Sequence, residues 1–154
     1  MSIMHLYRLA KKKFARDITG EGSRLYGGRW NHAGTPCVYT AENRALTILE
    51  YSVSIDLEDV PRALSLITLE VPNDSVTSCE TADLPGNWKK VPAPVHTKNF
   101  GNRLLQEKTS LLIKIPSTII PQEFNYIINP LHALIDKVKI VAEEDFVYDV
   151  RIKD

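Results

Sequence analysis

Residues 64–71, Leu-Ser-Leu-Ile-Thr-Leu-Glu-Val, constrain the fold more than any other stretch of the chain. In an extended backbone Leu64, Leu66 and Thr68 point one way and Ser65, Ile67 and Leu69 the other, and both sets are largely apolar. A strand of that kind must be covered on both faces, which predicts a central position in a sheet with other elements packed above and below it. The chain has 154 residues, enough for one core that buries roughly 68–70% of the surface its unfolded form exposes. No repeat, low-complexity tract or linker interrupts it, so one domain over residues 1–154 is expected.

Around that strand the sequence predicts a strand over residues 4–9, a short one over 37–40, and a helix over about 42–54 that Thr40 can cap. A second helix is expected over 97–107, and further strands over 111–116, 125–128, 138–140 and 146–148. Residues 20–34 contain five glycines and read as a long loop, which in a compact domain usually serves function. The segment after Pro72 is irregular, with a turn over 83–88. The sum is an α+β fold with a mixed β-sheet core and a few helices.

Charge and spacing remove several function classes. Nineteen Lys and Arg balance nineteen Asp and Glu, whereas nucleic-acid modules usually carry a basic excess, so no direct nucleic-acid partner is expected. The run Lys11-Lys12-Lys13 with Arg16 reads as a solvated face. Cys37 and Cys79 lack CxxC spacing, and His5, His32, His96 and His132 form no HxxxH pair, so no metal site is legible. Neither a leader-like start nor an 18-residue apolar run is present, which predicts a soluble cytoplasmic protein, without a membrane span and with reduced thiols. Gly20-Glu21-Gly22-Ser23-Arg24-Leu25 puts Leu where a dinucleotide-binding loop needs its third glycine, and no GxxxxGK[ST] sequence exists.

Four positions invite chemistry. On a helix Glu50 lies about 40° from Leu46 and about 60° from Val53, on the apolar side, where a carboxylate must be paired, hydrogen-bonded or open to a ligand. A core-edge ion pair and a functional carboxylate both fit. Arg8 sits inside an apolar strand and can point inward or to solvent. Arg29, in Gly27-Gly28-Arg29-Trp30-Asn31, can grip a phosphate beside an indole, or belong to an ordinary turn whose Trp caps the core. Ser117 follows a strong strand and, with no His at a recognisable spacing, reads as a strand-end cap rather than a hydrolase nucleophile.

Taken in order, Tyr7-Arg8, Gly28-Arg29-Trp30-Asn31 with Gly34, Tyr39-Thr40-Ala41-Glu42, Ala45 with Glu50, Ile115-Pro116-Ser117 and 125–132 (NYIINPLH) resemble the RES-domain family, named for Arg, Glu and Ser. The resemblance spans Tyr7 to His132 and leaves 72–98 unmatched. It implies a fold similar to ADP-ribosyltransferase toxins and a toxin of a type II toxin–antitoxin pair, held silent by a cognate Xre-type antitoxin. NAD would be a substrate to be broken at the nicotinamide–ribose bond, with no other cofactor.

Carried onto this chain, the resemblance makes Arg8, Tyr39, Glu50 and Ser117 the catalytic set, with Tyr7, Arg29, Trp30, Asn31 and Asn129 binding the substrate. Arg29 competes with Arg8 as the Arg of the family name, and His132 receives no role. Cleavage builds oxocarbenium-like charge on the ribose, which a fixed carboxylate such as Glu50 stabilises, while an arginine holds the pyrophosphate. Tyr39 would offer a ring to nicotinamide and a hydroxyl, and Ser117 would orient the ribose or the attacking group. Water or inorganic phosphate as acceptor gives a glycohydrolase or a phosphorylase. Transfer of ADP-ribose to a protein, or a non-catalytic nucleotide- or partner-binding module, are the alternatives. A homodimer is a further expectation, since symmetric pairs are the commonest oligomers.

Overall fold

Strand β3 (Leu64–Pro72) has every residue buried except Glu70. In the computed structural model, which describes residues 2–153, it pairs antiparallel along its whole length with β1 (Ile3–Lys11), from Ile3 opposite Pro72 to Lys11 opposite Leu64. Its other edge carries β7 (Lys139–Phe146), with a bulge at Thr68 and Leu69. With β2 (Val38–Ala41), β4 (Val76–Ser78), β5 (Leu112–Pro116) and β6 (Phe124–Ile128) these form one seven-stranded sheet in the order β4-β5-β6-β2-β1-β3-β7. Among the described residues only β4 and β5 are parallel, so the sheet is mixed as expected. β3 is covered on both faces but lies next to the edge strand rather than at the centre.

One face packs Leu6, Ile67, Leu69 and Val71 with Leu112 and Ile128, beneath the segments that hold Ala15, Ile18, Leu134 and Ile135. The other face carries helices α2 (Arg44–Ser54) and α3 (Val95–Glu107). Ile48 and Tyr51 of α2 meet Tyr7, Leu9, Leu64 and Leu66. Phe100, Leu104 and Leu105 of α3 meet Ile113, Ile115, Ile127 and the indoles of Trp30 and Trp88. Each fully buried Leu or Ile is worth about 1.5–3 kcal/mol over its exposed state.

Several boundaries differ from the sequence expectations. Thr40 does not cap α2: it is still in the β2 ladder, where its hydroxyl donates to the Tyr126 carbonyl at 2.6 Å. The cap is Asn43, whose Oδ1 accepts from the Leu46 amide at 2.7 Å, and the helix starts at Arg44. The expected long loop holds a six-residue helix, α1 (Glu21–Tyr26), and a Gly28–Asn31 bridge. Residues 138–140 and 146–148 are not two strands. β7 runs unbroken through the charged Glu143-Glu144-Asp145, which an edge strand tolerates on its solvent side, and Tyr148 leaves the sheet to bond Ser52 on α2 at 2.7 Å.

Candidate active site

Glu50 stands one helical turn after Leu46, which is buried against the sheet, so its carboxylate points toward the end of β5. There Ser117, fully buried just after Pro116, donates its hydroxyl to Glu50 Oε1 at 2.6 Å. The same hydroxyl oxygen accepts the amides of Ile119 at 3.1 Å and Ile120 at 3.2 Å. The turn after β5 thus fixes Ser117, and Ser117 fixes one oxygen of Glu50. Burial pushes the Glu50 carboxyl above its ordinary range, while Ser117, the Arg29 guanidinium and the Asn125 amide draw it back.

Arg29 reaches the same neighbourhood from the glycine-rich segment. Its Nη1 donates to the carbonyls of Trp88 at 2.9 Å and Lys90 at 2.8 Å, and it feels the negative charge of Glu50. Both hydrogens of Nη1 are therefore engaged, which leaves Nε and Nη2 with the remaining donors.

Tyr39 holds up this segment. Its hydroxyl donates to Asn31 Oδ1 at 2.6 Å and accepts from the Trp30 amide at 3.0 Å. A Cβ on Gly28 would stand 2.8 Å from the Tyr39 ring and hydroxyl, so only glycine lets the backbone lie so close. Burial holds the phenol well above its ordinary range, and it stays protonated. Asn31 is wholly buried and gives its amide to the carbonyls of Ser23, Thr35 and His32. Trp30 is buried too, with ring centroids 6.3 Å from Trp88 and 6.0 Å from Phe100.

The geometry revises several expected placements. The Tyr39 hydroxyl is engaged by Asn31 and the Trp30 amide within the protein, and Asn31 and Trp30 are themselves buried. Asn129 is buried and ties α3 to the turn after β6, donating to the Leu105 carbonyl at 2.8 Å and accepting the Leu131 amide at 3.1 Å. Tyr7 turns its ring toward α2, with the Arg44 guanidinium 4.6 Å above it.

Arg8 is not brought to Glu50. Tyr7 and Leu9 face α2, so by alternation Arg8 lies on the opposite face with Leu6 and Ala10. There Nη2 makes a long 3.5 Å contact with the Phe14 carbonyl, Nε is buried without a partner among the described residues, and Asp17 supplies the nearby negative charge. Of the two candidate arginines, Arg29 is the one the fold places beside Glu50.

Four residues of α3, which the sequence did not single out, clamp the Arg29 segment. Lys98 Nζ donates to the Gly28 carbonyl at 2.6 Å, His32 Nε2 meets Asn99 Oδ1 at 2.6 Å, and Asn102 Oδ1 accepts the His32 amide at 3.0 Å. Gly101 lies under the Trp30 carbonyl, which a Cβ there would meet at 2.1 Å. Asn125, on β6, was quoted in the sequence but given no role. No spacing rule could find these residues, because their partners lie some 70 positions away.

The sequence matches the RES domain over residues 5–149. The chain belongs to the RES-domain family. RES relatives align along nearly its whole length: "Toxin Res" of Yersinia enterocolitica is 34% identical over 97% of this chain and 100% of its own. "Prs ADP-ribosylating toxin" of a Sphingobium species is 36% identical over 90% of this chain and 88% of its own. "Toxin Res" of Pseudomonas putida is 37% identical over 88% and 92%. The fold is that of a chain in the crystal structure of the M. tuberculosis MbcT-MbcA toxin–antitoxin complex, with a TM-score of 0.72, 18% identity, and coverage of 95% of this chain and 85% of that one. This RES domain is an α+β unit, and among its described residues no helix is long and apolar enough to cross a membrane.

Proposed function

We propose that this RES protein is a toxin that breaks the nicotinamide–ribose bond of NAD, with Glu50 as the catalytic carboxylate. The observation that carries the reading is a half-buried carboxylate held on one oxygen by Ser117 and facing an arginine that no carboxylate contacts within 4 Å among the described residues. As the glycosidic C–N bond breaks, its electron pair leaves with nicotinamide, which departs neutral and needs no general acid. The positive charge left on the ribose is what a preorganised Glu50 carboxylate stabilises better than water does. Arg29, anchored on two backbone carbonyls, turns Nε and Nη2 toward the diphosphate. Ser117 and Asn125 position Glu50, and Tyr39 braces the segment that carries Arg29. NAD is consumed as the substrate, and the proposed cleavage needs no other cofactor.

The acceptor that completes the reaction is water or inorganic phosphate. A second reading, favoured by the Sphingobium relative's name, passes the ADP-ribose to a protein side chain. Purified protein incubated with NAD, with and without phosphate, separates these: free ADP-ribose marks hydrolysis, ADP-ribose 1-phosphate marks phosphorolysis, and a mass increase on an added cell protein marks transfer. Absence of all three contradicts the reading.

The relatives' names and the toxin–antitoxin complex that shares the fold support an antitoxin partner for this chain, which we assign to the Xre type. It is expected to cover Glu50 and Arg29, on a toxin that is itself a homodimer. Saturating ADP-ribose should weaken the toxin–antitoxin complex, and an unchanged affinity would place the inhibitor elsewhere.

A further inference from the structure

We propose that Lys98 is a second phosphate-binding cation of this site, working beside Arg29 on the diphosphate of the dinucleotide; the proposal rests on the NAD reading above. Lys98 and Arg29 are both half-buried, and each is held by backbone carbonyls alone: Lys98 by Gly28, Arg29 by Trp88 and Lys90. Neither has a carboxylate oxygen within 4.0 Å among the described residues. A cation partly withdrawn from water normally acquires a counter-charge, and neutral carbonyls orient it without cancelling it.

The two cations are also tied to one segment. Lys98 bonds the carbonyl of the residue immediately before Arg29, so the α3 side chain is pinned to the segment that aims the guanidinium. That bond uses one ammonium proton of three, and Arg29 has three N–H groups left on Nε and Nη2. A diphosphate offers two adjacent charged groups, which suit one planar fork and one point charge better than either alone.

The surrounding sequence is arranged to match. From Leu84 to Gln106 the chain has Lys89, Lys90, Lys98 and Arg103 and no Asp or Glu, although the whole chain is charge-balanced. From Gly22 to Ala41 it again has no Asp or Glu, and of its two arginines Arg24 is taken by Glu21 at 2.6 Å while Arg29 is not taken. The two segments that wall the site have thus excluded carboxylates, and Glu50 enters from a third element.

The test is titration of the purified protein with inorganic pyrophosphate, ADP-ribose and nicotinamide, for wild type, Lys98→Met and Lys98→Arg. Loss of a charge-assisted bond predicts that Lys98→Met weakens pyrophosphate and ADP-ribose by about tenfold or more and flattens their salt dependence, while nicotinamide binds as before. Lys98→Arg should stay within about threefold of wild type, since it keeps the charge. Unchanged pyrophosphate affinity in Lys98→Met, or equal losses for pyrophosphate and nicotinamide, would overturn the assignment and leave Lys98 as a clamp for the loop. Wild-type protein that binds neither pyrophosphate nor ADP-ribose would overturn this proposal and the NAD reading together, whereas wild type that binds both beside an indifferent Lys98→Met removes Lys98 alone.

Discussion

The Ser117 hydroxyl donates to Glu50 Oε1 at 2.6 Å while its own oxygen accepts two amides of the turn that follows β5. Ser117 therefore has no lone pair to spare as a nucleophile, and its effect on the reaction passes through Glu50. On the proposed mechanism it is a positioning residue, coupled to Glu50 through that single bond.

Ser117→Ala removes a bond that lowers the Glu50 pKa, so the acid limb of NAD consumption should move to higher pH. It also leaves the amides of Ile119 and Ile120 without their acceptor, at a cost of about 1–3 kcal/mol in stability. A pH–rate profile beside a denaturant titration checks both. A fall in rate with no movement of the acid limb contradicts the positioning role.

Glu50→Gln should abolish NAD loss without destabilising the fold. Because burial raises the folded pKa above the ordinary 4.5, ionised Glu50 opposes folding at neutral pH, and that cost is relieved as pH falls through the raised value. A neutral Gln avoids the cost and still offers a carbonyl oxygen to Ser117. Melting temperature at pH 7 is expected to hold or rise, and a marked fall contradicts the account.

Tyr39→Phe keeps the ring beneath Gly28 but strips the bonds to Asn31 Oδ1 and the Trp30 amide. The expected result is a stability loss of about 1–3 kcal/mol and a raised KM, because the segment carrying Arg29 loses its brace. Since the phenol stays protonated far above neutrality, no alkaline limb should be traceable to it. Steady-state kinetics at several pH values, with wild type in parallel, is the check.

Gly101→Ala reverses a usual rule. In a helix interior Ala is favoured over Gly by about 1 kcal/mol, yet here the added Cβ meets the Trp30 carbonyl at 2.1 Å and must push the Arg29 segment off α3. The variant should be less stable than wild type and bind ADP-ribose more weakly. A stabilised Gly101→Ala with native affinity would mean the helix and loop are not packed as described.

Strands with strong alternation were legible from sequence to within a residue or two, as β1, β3, β5 and β6 show. β4, three residues long, is too short to carry a pattern, and β7 hid behind edge charges that read as loop. The helix stripe of Leu46, Glu50 and Val53 is only partly covered. Leu46 is buried, but Val53 is exposed, so Glu50 marks the margin of the packed face, where a carboxylate can be held and still reach a ligand. Arg8 and Arg29 were not separable from sequence because the phase of Arg8 on β1 depends on which face α2 covers. The α3 clamp and Asn125 were invisible for a different reason: bonds to backbone carbonyls and across distant elements leave no local signature.

The proposed mechanism depends on Glu50 stabilising charge as nicotinamide leaves. The measurement that tests it most directly is nicotinamide released per NAD consumed by purified wild-type protein and by Glu50→Gln, each shown to be folded. One nicotinamide is expected for each NAD lost with wild type, and none above background with the variant. Wild type that releases no nicotinamide, or a folded Glu50→Gln that matches wild type, would contradict it.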